Sequence, residues 1–210
     1  MFDKIIQRFK EIPKEEGWII KVLIGGLVLY IPILNAVSFG YIMDLLEDVK
    51  EKREVKLPGW QNLEKLFMTG LPLSIFMLVL SLVQFIISSI LGLIACIGPI
   101  ISFAINLAIL FLTPLLVLIL AYRLIELRNW KEAMNWGIVL EEIQKNYKEY
   151  LPFLLGFLIC IPVSFIAGCC VLFAIPYFYA MIGIYPLMGE VYVKLHGNSA
   201  AAPAQEEEKK

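Results

Sequence analysis

The polar and apolar positions of this chain are separated into long blocks. Three stretches contain no Asp, Glu, Lys or Arg: residues 22–43, 66–122 and 150–189. A helix needs about 20 mostly apolar residues to cross a bilayer. The first stretch therefore holds one crossing or a short hairpin, and the other two hold two crossings each. Continuous apolar runs lack the alternation of barrel strands, so the pattern predicts an all-α, polytopic transmembrane bundle.

Glycine, proline and cysteine residues mark the breaks between crossings. Gly98-Pro99 divides the second stretch, and Gly168-Cys169-Cys170 divides the third. Neither break carries a charge, so both are predicted to be tight turns. The predicted passes are about 70–95, 99–124, 150–168 and 171–194.

Residues 18–46 allow two topologies. If the chain crosses once there, the Lys and Arg residues before residue 22 lie on the opposite side from the rest, and the protein has five full passes. If it bends back near Pro32, all 18 Lys and Arg residues lie on one side. Basic residues concentrate in cytoplasmic segments, which favours the bend, with both termini cytoplasmic and the protein in the cell (inner or plasma) membrane. Each arm would span about 14 residues, or ~21 Å, so the hairpin would be short or re-entrant.

Amphipathic segments flank the apolar blocks. Residues 1–16 place an apolar helical face beside Lys and Arg residues, which predicts a helix lying at the membrane surface. This face consists of Phe2, Ile5, Ile6 and Phe9. Residues 60–69 and 129–149 have similar patterns and are also predicted to be in-plane helices.

The composition agrees with a membrane protein. Apolar residues make up 60% of the chain and charged residues 18%, against about 45–50% and about 25% in soluble proteins. The net charge is −1, which implies no nucleic-acid partner. These values exclude an ordinary soluble enzyme, a disordered regulator and a disulfide-rich secreted module. Residues 1–196 are predicted to form one domain, and residues 197–210 a disordered tail.

Polar side chains inside the apolar blocks are the first candidates for function, because they are costly in lipid. Ser81, Gln84 and Ser88 share a helical face, and Asn106 and Thr113 are seven residues apart on the next pass. The functional interpretation is a polar path for a solute. The structural interpretation, which we favour, is hydrogen bonding between the two passes.

Prolines inside the apolar blocks are the second candidates. Proline removes a helical hydrogen bond, so kinks are predicted at Pro32, Pro114, Pro162 and Pro176. Broken helices form midplane sites in many transporters, but they also occur in packed bundles.

The residues that would carry catalysis or bind metals are sparse. The chain has one histidine, His196, and no Cys-x-x-Cys spacing. Its four cysteines lie in apolar stretches, where cysteine usually acts as a small packing residue. They are Cys96, Cys160, Cys169 and Cys170. We therefore expect no enzyme activity, no metal and no cofactor.

Several short motifs resemble domain-of-unknown-function family 4013, a family of bacterial and archaeal integral membrane proteins. The resemblance covers nearly all of residues 5–195, and its Gly-Tyr and Leu-Pro-x-Trp elements are the most specific. The motifs are Gly25-Gly26, Ile31-Pro32-Ile33-Leu34, Gly40-Tyr41, Leu57-Pro58-Gly59-Trp60 and Gly70-Leu71. It implies a helical membrane fold but supplies no catalytic residues.

Two function classes remain open for a chain of this kind. The first is a non-enzymatic membrane scaffold that binds lipid or another membrane subunit. The second is a small permease for a neutral or apolar solute. No ionisable residue lies near the centre of the four main passes, which argues against an ion-coupled pump.

Overall fold

The computed structural model describes residues 2–94, 97–167 and 173–197. Within these ranges the chain is all-helical. The α-helices are α1 (Phe2–Glu11), α2 (Trp18–Tyr30), α3 (Asn35–Lys50), α4 (Leu63–Gly92), α5 (Gly98–Leu127), α6 (Trp130–Ala133), α7 (Trp136–Ala167) and α8 (Ala174–Gly197), with single 3-10 turns at Ile12–Lys14 and Trp60–Asn62. The tail after Gly197 and the turn predicted at Gly168-Cys169-Cys170 lie outside the described residues.

Three segments of the described chain are long and apolar enough to cross a membrane: Trp60–Gly92, Gly98–Leu127 and Trp136–Ser164. The predicted all-α fold class is thus confirmed. A crossing by α8, the predicted bend of 18–46 within a bilayer and the orientation of the chain stay predictions.

Two helices, α3 and α8, form the centre of the bundle. Residues 36–43 of α3 and 180–189 of α8 are buried without interruption. The α3 helix packs against α2, α4, α5 and α8, and α8 also packs against α2 and α7. Only side chains that are apolar or internally hydrogen-bonded suit such positions. Ser38, which is fully buried, donates from its Oγ to the carbonyl oxygen of Gly25 at 2.8 Å.

A close backbone contact joins α3 to α4 at two glycines. A methyl group at Gly40 would overlap the carbonyl oxygen of Leu66, and one at Gly70 would overlap the carbonyl oxygen of Ala36. Small residues permit this direct backbone contact. It brings the start of α4 along α3 between Asn35, which Ser74 contacts, and Asp44, which Lys65 contacts.

The chain turns between α2 and α3 at Pro32. Ile31 is extended, as is usual before proline. Ile33 has φ 73°, a left-handed conformation that is unusual for a β-branched residue. The two helices have 13 and 16 residues, or about 20 and 24 Å at 1.5 Å per residue.

Two of the predicted in-plane helices are not separate elements. Residues 63–69 are the first turns of α4, and residues 136–149 belong to the same continuous helix as residues 150–167. These segments are therefore not separated from the helices that follow them, because an amphipathic pattern does not by itself end a helix; their position at a membrane surface stays a prediction. The chain makes no turn at either junction.

The α4–α5 hairpin projects beyond the rest of the bundle. Ser74 of α4 contacts Asn35, the first residue of α3. From Ser74, α4 continues to Gly92, about 27 Å farther at 1.5 Å per residue. In the most apolar 18-residue stretch of the segment Trp60–Gly92, only 6% of the stretch is buried.

Candidate functional site

A cavity of about 530 Å³ lies beside the α2–α3 turn. Its walls come from the end of α2, the start of α3, the middle of α4 and α5, and the start of α8. Its volume lies within the range of small-molecule sites, about 300–1,000 Å³. Of the described residues that line it, none is an Asp, Glu, Lys, Arg, His or Cys.

The mouth of the cavity is apolar. The relative exposures of Tyr30, Ile33, Ile75 and Leu78 are 63%, 64%, 51% and 49%. Ile33 carries the left-handed backbone of the α2–α3 turn, and such unusual conformations are concentrated at functional sites. The opening of the cavity is therefore surrounded by exposed apolar side chains of α2, of the α2–α3 turn and of α4.

Neutral polar residues interrupt the apolar wall. Ser74 Oγ donates to Asn35 Oδ1 at 2.5 Å, which ties α4 to the first turn of α3. Tyr177 and Tyr185 also line the cavity, and neither hydroxyl has a hydrogen-bond partner in the part of the chain that the structure describes. These phenols leave donors available to an occupant. The two tyrosines were not singled out from the sequence, although two tyrosines eight residues apart in an apolar stretch are a signal for one helix face.

The predicted polar face is divided between two places. Ser81 and Thr113 line the cavity, and each donates to a carbonyl oxygen one helical turn earlier, that of Met77 at 2.8 Å and that of Ile109 at 2.7 Å. Their hydroxyls are thus satisfied within their own helices.

Gln84, Ser88 and Asn106 lie together farther along the α4–α5 hairpin, away from the cavity. With Ser102 they form a hydrogen-bonded group, hereafter the amide cluster. Gln84 Nε2 donates to Asn106 Oδ1, and Asn106 Nδ2 lies 3.1 Å from Ser88 Oγ. These bonds join α4 to α5, as the structural interpretation expected.

The four prolines predicted to cause kinks differ in position. Pro114 lies inside α5 and Pro162 inside α7; a bend at either stays a prediction. Pro32 lies in the turn between two helices. Pro176 is the third residue of α8, so the prediction of an internal kink there was wrong. A first-turn residue has no helical N–H bond to lose.

The N-terminal helix α1 packs partly on protein. Ile5 is 6% exposed, and the Phe9 ring lies 5.2 Å from that of Tyr179, centroid to centroid. Ile6 is 53% exposed, and the side chain of Phe2 lies outside the described part. The predicted surface face was therefore wrong for Ile5 and Phe9. A sequence pattern shows that a face is apolar but does not show which apolar neighbour covers it.

The loop between α3 and α4 is fixed at Leu57. Its backbone N–H donates to Glu15 Oε2 at 2.6 Å, and its carbonyl oxygen accepts from Lys21 Nζ at 2.7 Å. Trp60, three residues later, stacks on Tyr41. The two most specific elements of the resemblance thus meet in space.

Charged side chains lie at the end of the bundle opposite the cavity mouth. Lys65 bonds Asp44 at 3.1 Å, and His196 Nε2 lies 3.0 Å from Glu142 Oε2. Burial raises the pKa of the Asp48 carboxyl, and the neighbouring Arg53 guanidinium acts in the opposite direction. We call this end of the molecule the polar end.

The described residues contain no group of three His, Cys, Asp or Glu side chains that could hold a metal ion. Cys160 is a free thiol that is half-buried. Cys96, Cys169 and Cys170 lie outside the described residues.

Comparison with known proteins identifies the family of the chain. No curated protein and no solved structure matches the chain. A family model described as "Protein of unknown function (DUF4013)" matches residues 23–176. The matched region contains the α2–α3 turn, the Tyr41–Trp60 stack and most of the cavity wall. The chain therefore belongs to the DUF4013 family.

Proposed function

We propose that this protein is a non-enzymatic integral membrane protein that binds the acyl chain of a membrane lipid in the cavity beside the α2–α3 turn. The observation that carries the proposal is the apolar mouth of the cavity. An opening lined by Tyr30, Ile33, Ile75 and Leu78 admits a hydrocarbon chain at little cost, whereas a charged solute would lose its hydration there.

The position of the cavity supports a lipid occupant. Ser74 is 11 residues after Leu63, the first residue of α4, or about 16 Å at 1.5 Å per residue. The cavity thus lies near the middle of a ~30 Å hydrocarbon core if the polar end marks one surface. Acyl chains occupy this depth.

The polar end supports a cytoplasmic orientation for the loops. Basic residues of the α3–α4 loop, of the segment that connects α5 to α7 and of α8 belong to this end. Basic residues are concentrated in cytoplasmic segments. In this arrangement the protein is a multi-pass protein of the cell membrane, and its cytoplasmic face is available to another membrane subunit.

Of the described residues that line the cavity, none is an Asp, Glu, Lys, Arg, His or Cys, and this supports a binding role. His, Asp, Glu, Lys and Cys are the side chains that most often act as general acids, general bases or nucleophiles. The wall offers amide and hydroxyl groups, which are suited to orienting an ester or headgroup oxygen.

Bound lipid in two tryptophan variants tests the proposal. Ser81→Trp places an indole at the cavity mouth. Ser89→Trp is the matched control, because both serines donate to the carbonyl four residues earlier and Ser89 is exposed outside the cavity. We expect the full chain, purified in mild detergent, to retain lipid that mass spectrometry detects. Ser81→Trp should lose most of it, and Ser89→Trp should retain it.

The second candidate is a permease for a small neutral solute. The hydroxyls of Ser81 and Thr113 in a cavity at mid-depth favour it. Flux of glycerol into proteoliposomes that Ser81→Trp blocks, with no lipid retained by the wild-type chain, would replace the lipid-binding proposal with the permease.

A further inference from the structure

A second cavity, of about 390 Å³, lies at the polar end between α3, α4 and α5. We call it the polar-end cavity, and its wall includes Glu47, Lys65, Thr69, Pro72, Leu124 and Arg128. None of its described wall residues also lines the cavity beside the α2–α3 turn. The two cavities are therefore separate candidate sites.

The wall of the polar-end cavity carries charges of both signs. Asp44 and Lys65 pair with each other, since Lys65 Nζ lies 3.1 Å from Asp44 Oδ1. The Glu47 carboxylate and the Arg128 guanidinium have neither a hydrogen-bond nor an ion-pair partner among the residues that the structure describes. Glu47 is half-buried, and Arg128 is exposed at the end of α5. The cavity thus presents one unpaired negative group and one unpaired positive group.

The wall becomes apolar with distance from the polar end. On α3, Met43 lies one helical turn farther from this end than Glu47 does. On α5, Leu124 lies one turn farther than Arg128. A ligand that fills the cavity therefore meets charged groups at one side and hydrocarbon at the other, which is the order of groups in a membrane lipid.

The depth of the polar-end cavity agrees with the membrane placement proposed above. The cavity extends along α4 from Lys65 to Pro72, which are 2 and 9 residues after Leu63, the first residue of that helix. These positions are about 3 and 14 Å along the helix at 1.5 Å per residue. With the polar end at one membrane surface, the charged side of the wall lies at the boundary with the headgroups, and the apolar side lies within the ~30 Å hydrocarbon core.

Exposed apolar side chains adjoin the polar-end cavity. Met68, Leu127 and Trp130 are 62%, 41% and 56% exposed. Met68 and Leu127 directly precede the wall residues Thr69 and Arg128, and Trp130 belongs to the wall. Tryptophan is enriched at the boundary between membrane and water. A lipid in the cavity thus has a surface for its acyl chains, which a water-soluble ligand would not use.

We propose that the polar-end cavity binds the headgroup of a zwitterionic phospholipid that carries a primary amine, the phosphoethanolamine class. The Arg128 guanidinium donates to the phosphate oxygens, and the lipid ammonium donates to the Glu47 carboxylate. The two acidic and two basic residues of the described wall sum to zero charge, so the wall favours a dipolar headgroup over an anionic one. The proposal rests on the membrane location proposed above but not on a lipid in the other cavity.

Lipid titration tests this site. The full chain in mild detergent is titrated with short-chain phosphatidylethanolamine, and native mass spectrometry measures the bound fraction. The titration is done with the wild type and with Ser81→Trp, which blocks the cavity beside the α2–α3 turn. In both proteins we expect phosphatidylethanolamine to bind at least about tenfold more tightly than phosphatidylglycerol or phosphatidylcholine of the same chain length.

A glycine at Arg128 separates the charge from the fold. Arg128 is left-handed, with φ 49°, and glycine adopts this conformation without strain. We therefore expect Arg128→Gly to melt no lower than the wild type and to bind phosphatidylethanolamine about tenfold more weakly. Lys52→Gly is the matched control, because Lys52 is also basic and left-handed, with φ 56°, but does not line the cavity. Its affinity should equal that of the wild type.

A neutral amide at Glu47 tests the ammonium contact. Glu47→Gln should remove the preference for phosphatidylethanolamine over phosphatidylglycerol, because the wall then carries a net positive charge. Glu64→Gln is the control, since Glu64 is an exposed carboxylate of α4 that does not line the cavity. This variant should keep the preference of the wild type.

Three results would overturn the proposal. These are equal binding of the three lipids, an affinity that neither Arg128→Gly nor Glu47→Gln changes, or soluble glycerophosphoethanolamine that binds as tightly as the lipid. The last result would assign the cavity to a dissolved solute. Lipid that the purified chain retains is measured separately with Ser81→Trp and Ser89→Trp, so failure of this headgroup site and failure of the proposed acyl-chain site are distinguishable.

Discussion

The indole of Trp60 stacks on the phenol ring of Tyr41, with ring centroids 4.6 Å apart and an interplanar angle of 26°. Tyr41 is fully buried in α3, and Trp60 comes from the loop that precedes α4. Phe178 of α8 lies edge-on to Tyr41, at 5.6 Å between centroids. The stack therefore joins the loop to both central helices.

Removal of this stack should destabilise the protein. We expect Trp60→Ala to lower the free energy of unfolding by about 2–3 kcal/mol, because a half-buried indole loses both its packing and its ring contact. Thermal unfolding in mild detergent measures the change. Trp130→Ala is the control; Trp130 is 56% exposed, so its loss should cost less than about 1 kcal/mol. An equal loss of unfolding free energy in the two variants would show that the Tyr41–Trp60 stack stabilises the protein no more than an exposed indole does.

The α3–α4 crossing should tolerate no side chain at its glycines. We expect Gly70→Ala to destabilise the protein by about 3 kcal/mol or more, since the new methyl overlaps the backbone of Ala36 and the helices must separate. The matched variant is Gly92→Ala in the same helix, where a Cβ meets nothing within 4 Å. That change should be neutral or stabilising by up to about 1 kcal/mol. A Gly70→Ala protein with wild-type yield and melting temperature would contradict the described crossing.

Neighbouring isoleucines in α1 should respond differently to the same substitution. Ile5→Ser places a hydroxyl in the contact with α7 and α8, and we expect it to cost about 2–4 kcal/mol and to expose α1 to protease. Ile6→Ser should change stability by less than about 0.5 kcal/mol, because Ile6 is already 53% exposed. Limited proteolysis and thermal unfolding measure the two effects. If both variants behave as the wild type does, α1 is held at the membrane surface and not by the bundle.

The basic segments should all lie on one side of the membrane. Single cysteines at Lys10, Lys52 and Lys145, in a background without native cysteines, should resist an impermeant thiol reagent in intact cells and react after permeabilisation. Leu93→Cys is the positive control, since Leu93 is 87% exposed at the end of the projecting hairpin. Labelling of position 10 in intact cells, with positions 52 and 145 protected, would establish a single crossing by residues 18–46.

The amino-acid sequence alone determined the class of this protein. The absence of charge from residues 66–122 and 150–189 is sufficient to predict apolar helices, because no soluble fold has a place for so much apolar surface. The sequence also located the helix break at Pro32, because proline removes a helical hydrogen bond. It singled out Gln84 and Asn106, because polar side chains are costly in an apolar environment. These conclusions depend on the chemistry of short segments.

Only the tertiary structure decided which helix faces are covered by other helices and which are exposed. The sequence predicted surface helices at 60–69 and 129–149, yet residues 63–69 and 136–149 continue into long helices. Similarly, Ile5 and Ile6 have the same hydropathy, but one packs on α7 and α8 and the other is exposed. An apolar residue gains free energy from leaving water whether lipid or protein covers it. The covering partner, the Tyr41–Trp60 stack and the cavity beside the α2–α3 turn depend on contacts between residues far apart in the chain, which no local pattern contains.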